Sequence, residues 1–545
     1  MEIALRSEIP TYSGGLGVLA GDTLRSAADL KIPLVGVTLV SREGYFRQSI
    51  DAAGRQIERP EPWKPESWAE ALPAKVSVTI DGRAVWIGGW LYVVEGVGGA
   101  QPVVLLDTDL PENDPRDRLL THYLYGGDRA YRLSQEIVLG IGGVRMLDAL
   151  GFHILAYHLN EGHSALLTLQ LLRRAEYEPD ALRPGESPYD LPMVREKCHF
   201  TTHTPVEAGH DRFPYELVQR MLGDFVDSAT LRRFAGEDEL NTTRLALNMS
   251  EHVNGVAGRH AETAQRLYPE HRVSAITNGI HPSTWASPAF ARLYDAQIAG
   301  WRLEPERLMR AEVALGDDDV WRCHMEAKRA LIDRVRAASG VELDPNLPLI
   351  GYARRMTQYK RPELFFTDIE RLKAIAARQP LQALFAGKAH PQDQGGKEAI
   401  EHLHECMRAV AGAMPIAFLP DYTMATALAM VSGVDVWLNT PKPPLEASGT
   451  SGMKAALNGV PNLSVLDGWW VEGHMEGITG WAIGNGEPAD SDAFALYDKL
   501  ERVVLPLYAT RAAWIAVMKG AISRNASLFH SHRMMRRYAA DAYFG

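Results

Sequence analysis

A chain of 545 residues, 46% hydrophobic and 23% charged, is too long for one compact core and fits two large domains of an ordinary globular protein. Its formal net charge of -11 argues against general binding to nucleic acid or anionic membrane, so any anion site must be a local reversal of charge. Three cysteines, Cys198, Cys323 and Cys406, stand far apart without a C-x-x-C pair, which gives neither a disulfide framework nor a structural zinc site. The chain opens MEIALRSEIPTYSGG, lacking the apolar core of a secretory signal, and no later window is apolar enough to span a bilayer. A cytoplasmic setting is expected.

In YSGGLGVLAGD (12–22), Gly14, Gly15 and Gly17 precede a helical pattern. As a dinucleotide fingerprint, Gly15-x-Gly17-x-x-Ala20 lacks the strand that should lead into it; as a glycine loop it presents amides to a phosphate or a sugar. Only Met1 to Leu5 remain for that first strand, which predicts either a native start a few residues earlier or a frayed strand. Strand candidates follow at IPLVGVTLV (32–40), HILAYHL (153–159), CHFTTHT (198–204) and VSAITNG (273–279). The stretch VSVTIDGRAVWIGGWLYVV (76–94) reads as a hairpin turned at Asp81-Gly82, and GIGG (140–143) as close packing within a helix. Residues 286 to about 344, rich in Ala, Leu, Arg and Glu, read as helices.

Beyond them, LPLIGYA (347–353), LQALFAG (381–387), PIAFL (415–419), VDVWL (434–438) and PNLSVL (461–466) alternate with helix-length segments, the rhythm of parallel βαβ units. The expected fold is therefore α/β, two Rossmann-like domains facing a central cleft, with ligands beyond the carboxyl ends of the strands. Boundaries are placed at 1–285 and 286–520, with 521–545 as a C-terminal helix packing across the two.

Three stretches carry candidate chemistry. GYARRMTQYKRPELFF (351–366) delivers Arg354, Arg355, Lys360 and Arg361 just after a strand, where guanidinium forks and an ammonium suit phosphate. EASGTSGMKAALNG (446–459) surrounds Lys454 with small residues and runs into a helix; alone it is either an anion cradle holding an amine or a serine-glycine connector before a solvated lysine. HLNEGH (158–163) and HFTTHTPVEAGH (199–210) invite a metal reading, but residues four apart on a strand lie roughly 13 Å apart, too far to share zinc at about 2 Å. No metal site is expected. His163 stands after a strand, as a substrate contact or a packed core histidine.

Together these stretches resemble the α-glucan (glycogen, starch and maltodextrin) phosphorylase family, in its short bacterial and archaeal branch, with the glycosyltransferase-B architecture. EASGTSGMKAALNG is similar to the family's EASGTGNMK, whose lysine carries pyridoxal 5′-phosphate as an imine, which places that cofactor on Lys454. SGGLG (13–17) resembles the glycine loop beside the substrate phosphate, implying Gly14 and Gly15 as contacts. NEGH (160–163) stands where the family has NDTH, implying that His163 contacts the glucosyl unit. VNGVAGRH (253–260) and TNGIHPSTW (277–285) are similar to VNGVARIH and TNGITPRRW, implying Asn278 as a sugar contact. RRMTQYKR (354–361) takes the place of KRIHEYKR: Arg355 and Lys360 would bind the substrate phosphate, Tyr359 would lie near phosphate and sugar, and Arg354 would approach the cofactor phosphate.

Within the lysine motif, Glu446, Ser448 and Gly449 match positions that hold glucose hydroxyls, while Thr450 and Ser451 match the cofactor-phosphate turn. FLPDYTMA (418–425) resembles FLENYRVS and sets Tyr422 beside the cofactor. Three departures stand out: Arg354 for a lysine, Thr423 for an arginine, and Ser451-Gly452 for Gly-Asn.

The resemblance implies a glucan-binding first domain, a cofactor-bearing second one and a homodimer or larger assembly. The partners would be an α-1,4-glucan and inorganic phosphate, and the reaction release of α-glucose 1-phosphate with retention, the cofactor's phosphate acting as general acid and base. A retaining hydrolase would instead need two carboxylates about 5 Å apart. A nucleotide-sugar glucosyltransferase of the glycogen or starch synthase type would share the domains and the glycine loop but use no pyridoxal phosphate, and a silent glucan-binding homologue would need neither the cations nor the lysine.

Overall fold

The computed structural model describes every residue except 179, 181, 184, 185, 207, 208, 486–491 and 545. It divides into two compact units, one of Met1–Tyr45, Pro60–Ile276 and Met535–Gly545, the other of Phe46–Arg59 and Thr277–Met534. Both are mixed α/β with parallel sheets.

In the first unit, the hairpin strands Val76–Ile80 and Arg83–Glu95 pair antiparallel with Ile80 opposite Arg83. Asp81 and Gly82 take φ of 52° and 73°, the left-handed pair that matches the twist of a two-residue hairpin turn. Arg83–Glu95 then pairs with Ala100–Asp107, which runs parallel to Gly36–Leu39. A second sheet is wholly parallel, ordered Val273–Ala275, His252–Gly255, Cys198–Thr201, Tyr157–Asn160. Residues 1–5 are buried but form no strand.

The helical run from Arg129 to Ala149 packs Gly140 on the backbone at Leu166 and Leu167, and Gly142 on Ile87, where an added Cβ would come within 2.7 and 2.4 Å of its neighbours. These glycines serve close packing. The C-terminal residues of this unit bring Tyr538 to accept a hydrogen bond from Asn254 Nδ2 at 3.2 Å, and Tyr543 Oη within 2.5 Å of His158 Nδ1.

The second unit holds a six-stranded parallel sheet, ordered Ile416–Leu419, Gln382–Ala386, Leu349–Ala353, Val436–Asn439, Asn462–Val465, Gly480–Ile483. All of these strand residues are buried, so the strands read as unbroken apolar runs instead of alternating ones. The chain starts in the middle, winds to one edge, then returns to build the other. The direction reverses between Leu349–Ala353 and Val436–Asn439, and residues following those two strands emerge at the switch point where open parallel sheets bind ligands.

Two devices fix this frame. The helix Asp317–Ser339 carries three aspartates in its first turn and ends at Gly340 with φ 71°, which satisfies the helix dipole and the left-handed C-terminus. From it Lys328 reaches Asp435 at 2.6 Å and the Leu347 carbonyl at 2.7 Å, while His324 meets the same carboxylate at 2.9 Å. Asp435 thus pins the start of the strand Val436–Asn439. The hairpin of Arg47–Ile50 and Gln56–Arg59 belongs to this unit through Gln48 and Gln56, whose amides donate to the carbonyls of Gly387 (2.8 Å) and Ala389 (2.9 Å). Among the described residues no helix is long and apolar enough to cross a membrane.

Candidate active site

Strand Leu349–Ala353 delivers Arg354 to the switch point, and the short turn Gln358–Lys360 brings Lys360 back toward it. The neighbouring strand ends at Asn439, whose side-chain oxygen accepts a hydrogen bond from Arg354. Beyond it Glu446 is buried, its backbone N–H donating to Asp467 at 2.9 Å. The Glu446 carboxylate accepts from Arg354 Nη2 at 2.8 Å and from Lys360 Nζ at 2.6 and 2.8 Å. Burial would raise its pKa, but Arg354 and Lys360 outweigh that and hold it down to about 2.

Two cations therefore share one carboxylate, and the Nε of Arg354 is a buried donor with no partner. Such a donor is costly unless an acceptor meets it, and with one positive charge in excess the fitting acceptor is an anion. Arg355, by contrast, is exposed, and Tyr359 lies with its ring 4.5 Å from Lys360 Nζ.

The turn before Lys454 is shaped by backbone approach. Gly449 takes φ 74° beside Glu446, Ser448 Oγ donates to the Gly449 carbonyl at 3.0 Å, and the Ser448 carbonyl accepts from Trp469 N–H at 2.9 Å. Thr450 stands at the N-cap of helix Ser451–Leu457 without making a capping bond, and Ser451 Oγ accepts from Trp437 Nε1 at 3.1 Å. Lys454 is buried, with its Nζ 3.9 Å from the centre of the Trp285 ring. Asn458 ties the two together by donating to the carbonyls of Lys454 (2.9 Å) and Trp285 (2.7 Å).

Gly452, where the resembled motif has asparagine, is dictated by packing: a Cβ there would meet Asn462 Oδ1 at 2.3 Å and Trp469 at 2.8 Å. Gly452→Ala should accordingly lower stability by about 1–3 kcal/mol and displace the turn, read as a drop in Tm; an unchanged Tm would contradict this packing. Thr423, which stands in place of an arginine, caps helix Met424–Gly433 by accepting from Thr426 N–H at 3.3 Å. Tyr422 packs against the core of this unit. Asn278 is buried with an unpartnered Oδ1, while its carbonyl accepts from Arg533 at 3.0 Å.

In the first unit, Gly14 and Gly15 open the helix Gly15–Leu30, and a Cβ on either would meet nothing within 4 Å. Their small size therefore leaves room above the loop and is not demanded by neighbours, unlike Gly17, whose Cβ would strike Glu2 and Tyr12. The amides of Ser13 and Gly14 donate to Glu2 Oε2 at 2.5 and 3.2 Å. An acidic side chain already uses these two N–H groups, a feature the loop sequence does not announce.

His163 is enclosed by Arg132, Glu136 and Asp211. Arg132 Nη2 lies 2.9 Å from His163 Nδ1 and 2.7 Å from Asp211 Oδ2, and its Nε lies 3.3 Å from Glu136. Burial, opposed by Asp211 and aided by Arg132, lowers the His163 pKa to about 4. A guanidinium can only donate, so Nδ1 is an acceptor and the neutral ring carries its proton on Nε2. His163 is thereby a hydrogen-bond donor at that atom.

Ligand-type atoms of Glu136, His163 and Asp211 lie within 4.8 Å of one another, but the Arg132 guanidinium already provides the cation among them. Nearby, Glu161 accepts from the His203 N–H at 2.7 Å and from Thr204 Oγ1 at 3.0 Å, and His203 Nε2 is 2.6 Å from Asn160 Oδ1. Glu2, Arg132, Glu136, Asp211 and, in the second unit, Trp285 and Asn439 are additions that sequence reasoning did not single out. Only Trp285 had a visible signal, at the end of TNGIHPSTW.

A family profile described as carbohydrate phosphorylase matches residues 206–478. The chain is similar to the maltodextrin phosphorylase of Thermococcus litoralis, 40% identical over 588 residues that cover 100% of this chain and 70% of that protein. It is 35% identical to the glycogen phosphorylase of Aquifex aeolicus, covering 99% of this chain and 85% of the relative. It is likewise 35% identical to the glycogen phosphorylase of Mycobacterium tuberculosis, covering 100% and 70%.

Proposed function

The chain belongs to the carbohydrate phosphorylase family, in its α-glucan branch, and from that premise we propose how its own residues perform glucan phosphorolysis. It is a glycosyltransferase-type enzyme that moves the terminal glucosyl unit of an α-1,4-glucan onto inorganic phosphate. A phosphate oxygen bonds to C1, the C1–O4 bond breaks with retention, and O4 of the shortened glucan receives a proton. The finer architecture is read as two Rossmann-like domains, supported in the second unit by the strand order with its central switch point. A cytosolic setting fits three cysteines that are all buried and free.

The observation that carries the reading is the Arg354–Lys360–Glu446 cluster at the switch point, on the same unit as the buried amine of Lys454. The residues present fit pyridoxal 5′-phosphate: a buried lysine against an indole face, an uncapped Thr450, the hydroxyl of Ser451, and a buried Arg354 Nε that lacks an acceptor. Lys454 would hold the cofactor covalently, with Thr450, Ser451, Arg354 and Tyr422 around it. When bound, the cofactor supplies through its phosphate group the acid and base function of phosphorolysis.

The chain's residues do the rest. Arg355 and Lys360 bind and orient the attacking phosphate, with Tyr359 alongside. Glu446 holds Arg354 and Lys360 in place, and with Ser448, Gly449 and Asn278 it receives sugar hydroxyls. With a pKa of about 2, Glu446 stays ionised, an acceptor only. His163, neutral with its proton on Nε2, donates to the glucosyl unit, and the open space at Gly14 and Gly15 admits the substrate. Crowding phosphate groups with a sugar that develops positive charge calls for this surplus of preorganised donors.

Arg355 is the clean test, because it is exposed and makes no side-chain hydrogen bond or ion pair among the described residues. Arg355→Ala should lower phosphorolysis by on the order of 10² or more, through the KM for phosphate, leave glucan affinity nearly unchanged, and leave Tm unchanged. Lys360→Ala should lower activity similarly and also lower Tm, since Glu446 loses a partner. Equal losses of glucan affinity and turnover in Arg355→Ala would contradict the assignment.

A further inference from the structure

At the other end of the second unit's sheet lies a cavity of about 930 Å³. It is lined by helix Asp317–Ser339, by residues just ahead of the strands Leu349–Ala353 and Gln382–Ala386, and by residues 505–511. The cavity is therefore at the amino ends of these strands, whereas Arg354 follows the carboxyl end of Leu349–Ala353 and Asn439 marks that of the neighbouring Val436–Asn439. Four arginines line it, Arg322, Arg329, Arg378 and Arg511, and no aspartate or glutamate is among the described lining residues.

In a chain of net charge -11 this is a marked local reversal. Arg322 is held by Asp319 and Arg378 by Glu501, each at 2.5 Å. The side chains of Arg329 and Arg511 make no hydrogen bond or ion pair among the described residues. All four guanidinium groups are exposed along a concave wall, where their like charges focus a positive potential that an anion would offset.

Aromatic surface completes the site. Arg511 lies over Trp321, 5.1 Å from the ring centre, and the Trp321 and Tyr508 rings are 6.4 Å apart at 57°. Tyr508 Oη accepts from Lys328 Nζ at 3.2 Å, which fixes the phenol from below. Arg511 is thus held by stacking, whereas the helix fixes only the backbone of Arg329, whose exposed side chain is ordered on binding.

We propose that this cavity binds a small polyanion, a molecule with two or more phosphate or carboxylate groups, gripped by Arg329 and Arg511 and flanked by Arg322 and Arg378. The proposal is independent of the phosphorolytic site. Calorimetric titration of the full chain with inorganic tripolyphosphate, and separately with citrate, tests it. At least one should bind, more weakly as salt is raised; tripolyphosphate alone assigns phosphate, citrate alone carboxylate, and both assign polyanions in general. Arg329→Ala combined with Arg511→Ala should weaken binding by on the order of 10² with Tm unchanged, and Arg329→Glu should weaken it further than Arg329→Ala. Arg355→Ala should leave it unchanged. Failure of both probes to bind, undiminished binding to the double variant, or loss in Arg355→Ala instead would overturn the proposal.

Discussion

Lys454→Ala is expected to purify without stably bound pyridoxal 5′-phosphate and to lose phosphorolysis by on the order of 10³ or more, since the acid and base function leaves with the cofactor. The unsubstituted protein should absorb in the near ultraviolet beyond its aromatic bands, and borohydride should fix the label on the peptide containing Lys454. Because the acid and base group is the phosphate and not the ring, the reduced protein should keep substantial activity. The amine is buried against Trp285, where no solvent-facing role explains a lysine. Stable cofactor in Lys454→Ala, or label on another lysine, would contradict the assignment; complete inactivation by borohydride would point to ring chemistry.

Acidification from pH 7 to 5 should destabilise the first unit strongly. His158, His163, His199, His203 and His260 all lie in that unit. Burial lowers their pKa values from 6.5, to about 3 for His158 and His203 and about 4 for the other three. A folded-state pKa below the unfolded one gives stability that is fully present above 6.5 and is lost as pH falls toward 4, because the unfolded chain takes up the protons first. About 1.5 units below 6.5, each such histidine accounts for about 2 kcal/mol. Glu136 and Glu161, whose pKa values burial raises, act in the opposite sense and offset part of this. His252, His271 and the Met1 amine, whose pKa values burial also lowers, add to the loss, so the net effect of acidification is destabilising. Thermal unfolding followed across this range should show Tm falling below about pH 6.5; a flat Tm between pH 7 and 5 would contradict the neutral, buried state of these rings.

The sheet of the second unit was largely legible, because parallel strands covered on both faces must read as continuous apolar runs. Five of its six strands announce themselves this way, LIGYA and QALFA most plainly. The sixth, Gly480–Ile483, is four residues opened by a glycine at φ 143°, too short a signal to separate from a loop. The hairpin at Asp81-Gly82 was legible because its turn chemistry is local. The polar hairpin of residues 46–59 was not, since its place in the second unit rests on Gln48 and Gln56 meeting carbonyls more than 300 positions away.

The candidate site divides along the same line. Lys454, Arg354, Lys360 and Glu446 sit in two compact motifs whose residue types already state a charge problem. The surroundings of His163 come from three separate stretches, and nothing local in Arg132, Glu136 or Asp211 marks them as neighbours. Glu2 is similar: the glycine loop shows that amides are presented, but only the folded chain shows that a carboxylate receives two of them.

Incubation of the purified, cofactor-loaded protein with maltodextrin, with and without inorganic phosphate, followed by assay of glucose 1-phosphate and free glucose, decides the reading as a whole. Phosphorolysis predicts glucose 1-phosphate that appears only with phosphate and is the α anomer, with no free glucose. Glucose release that does not depend on phosphate would contradict it.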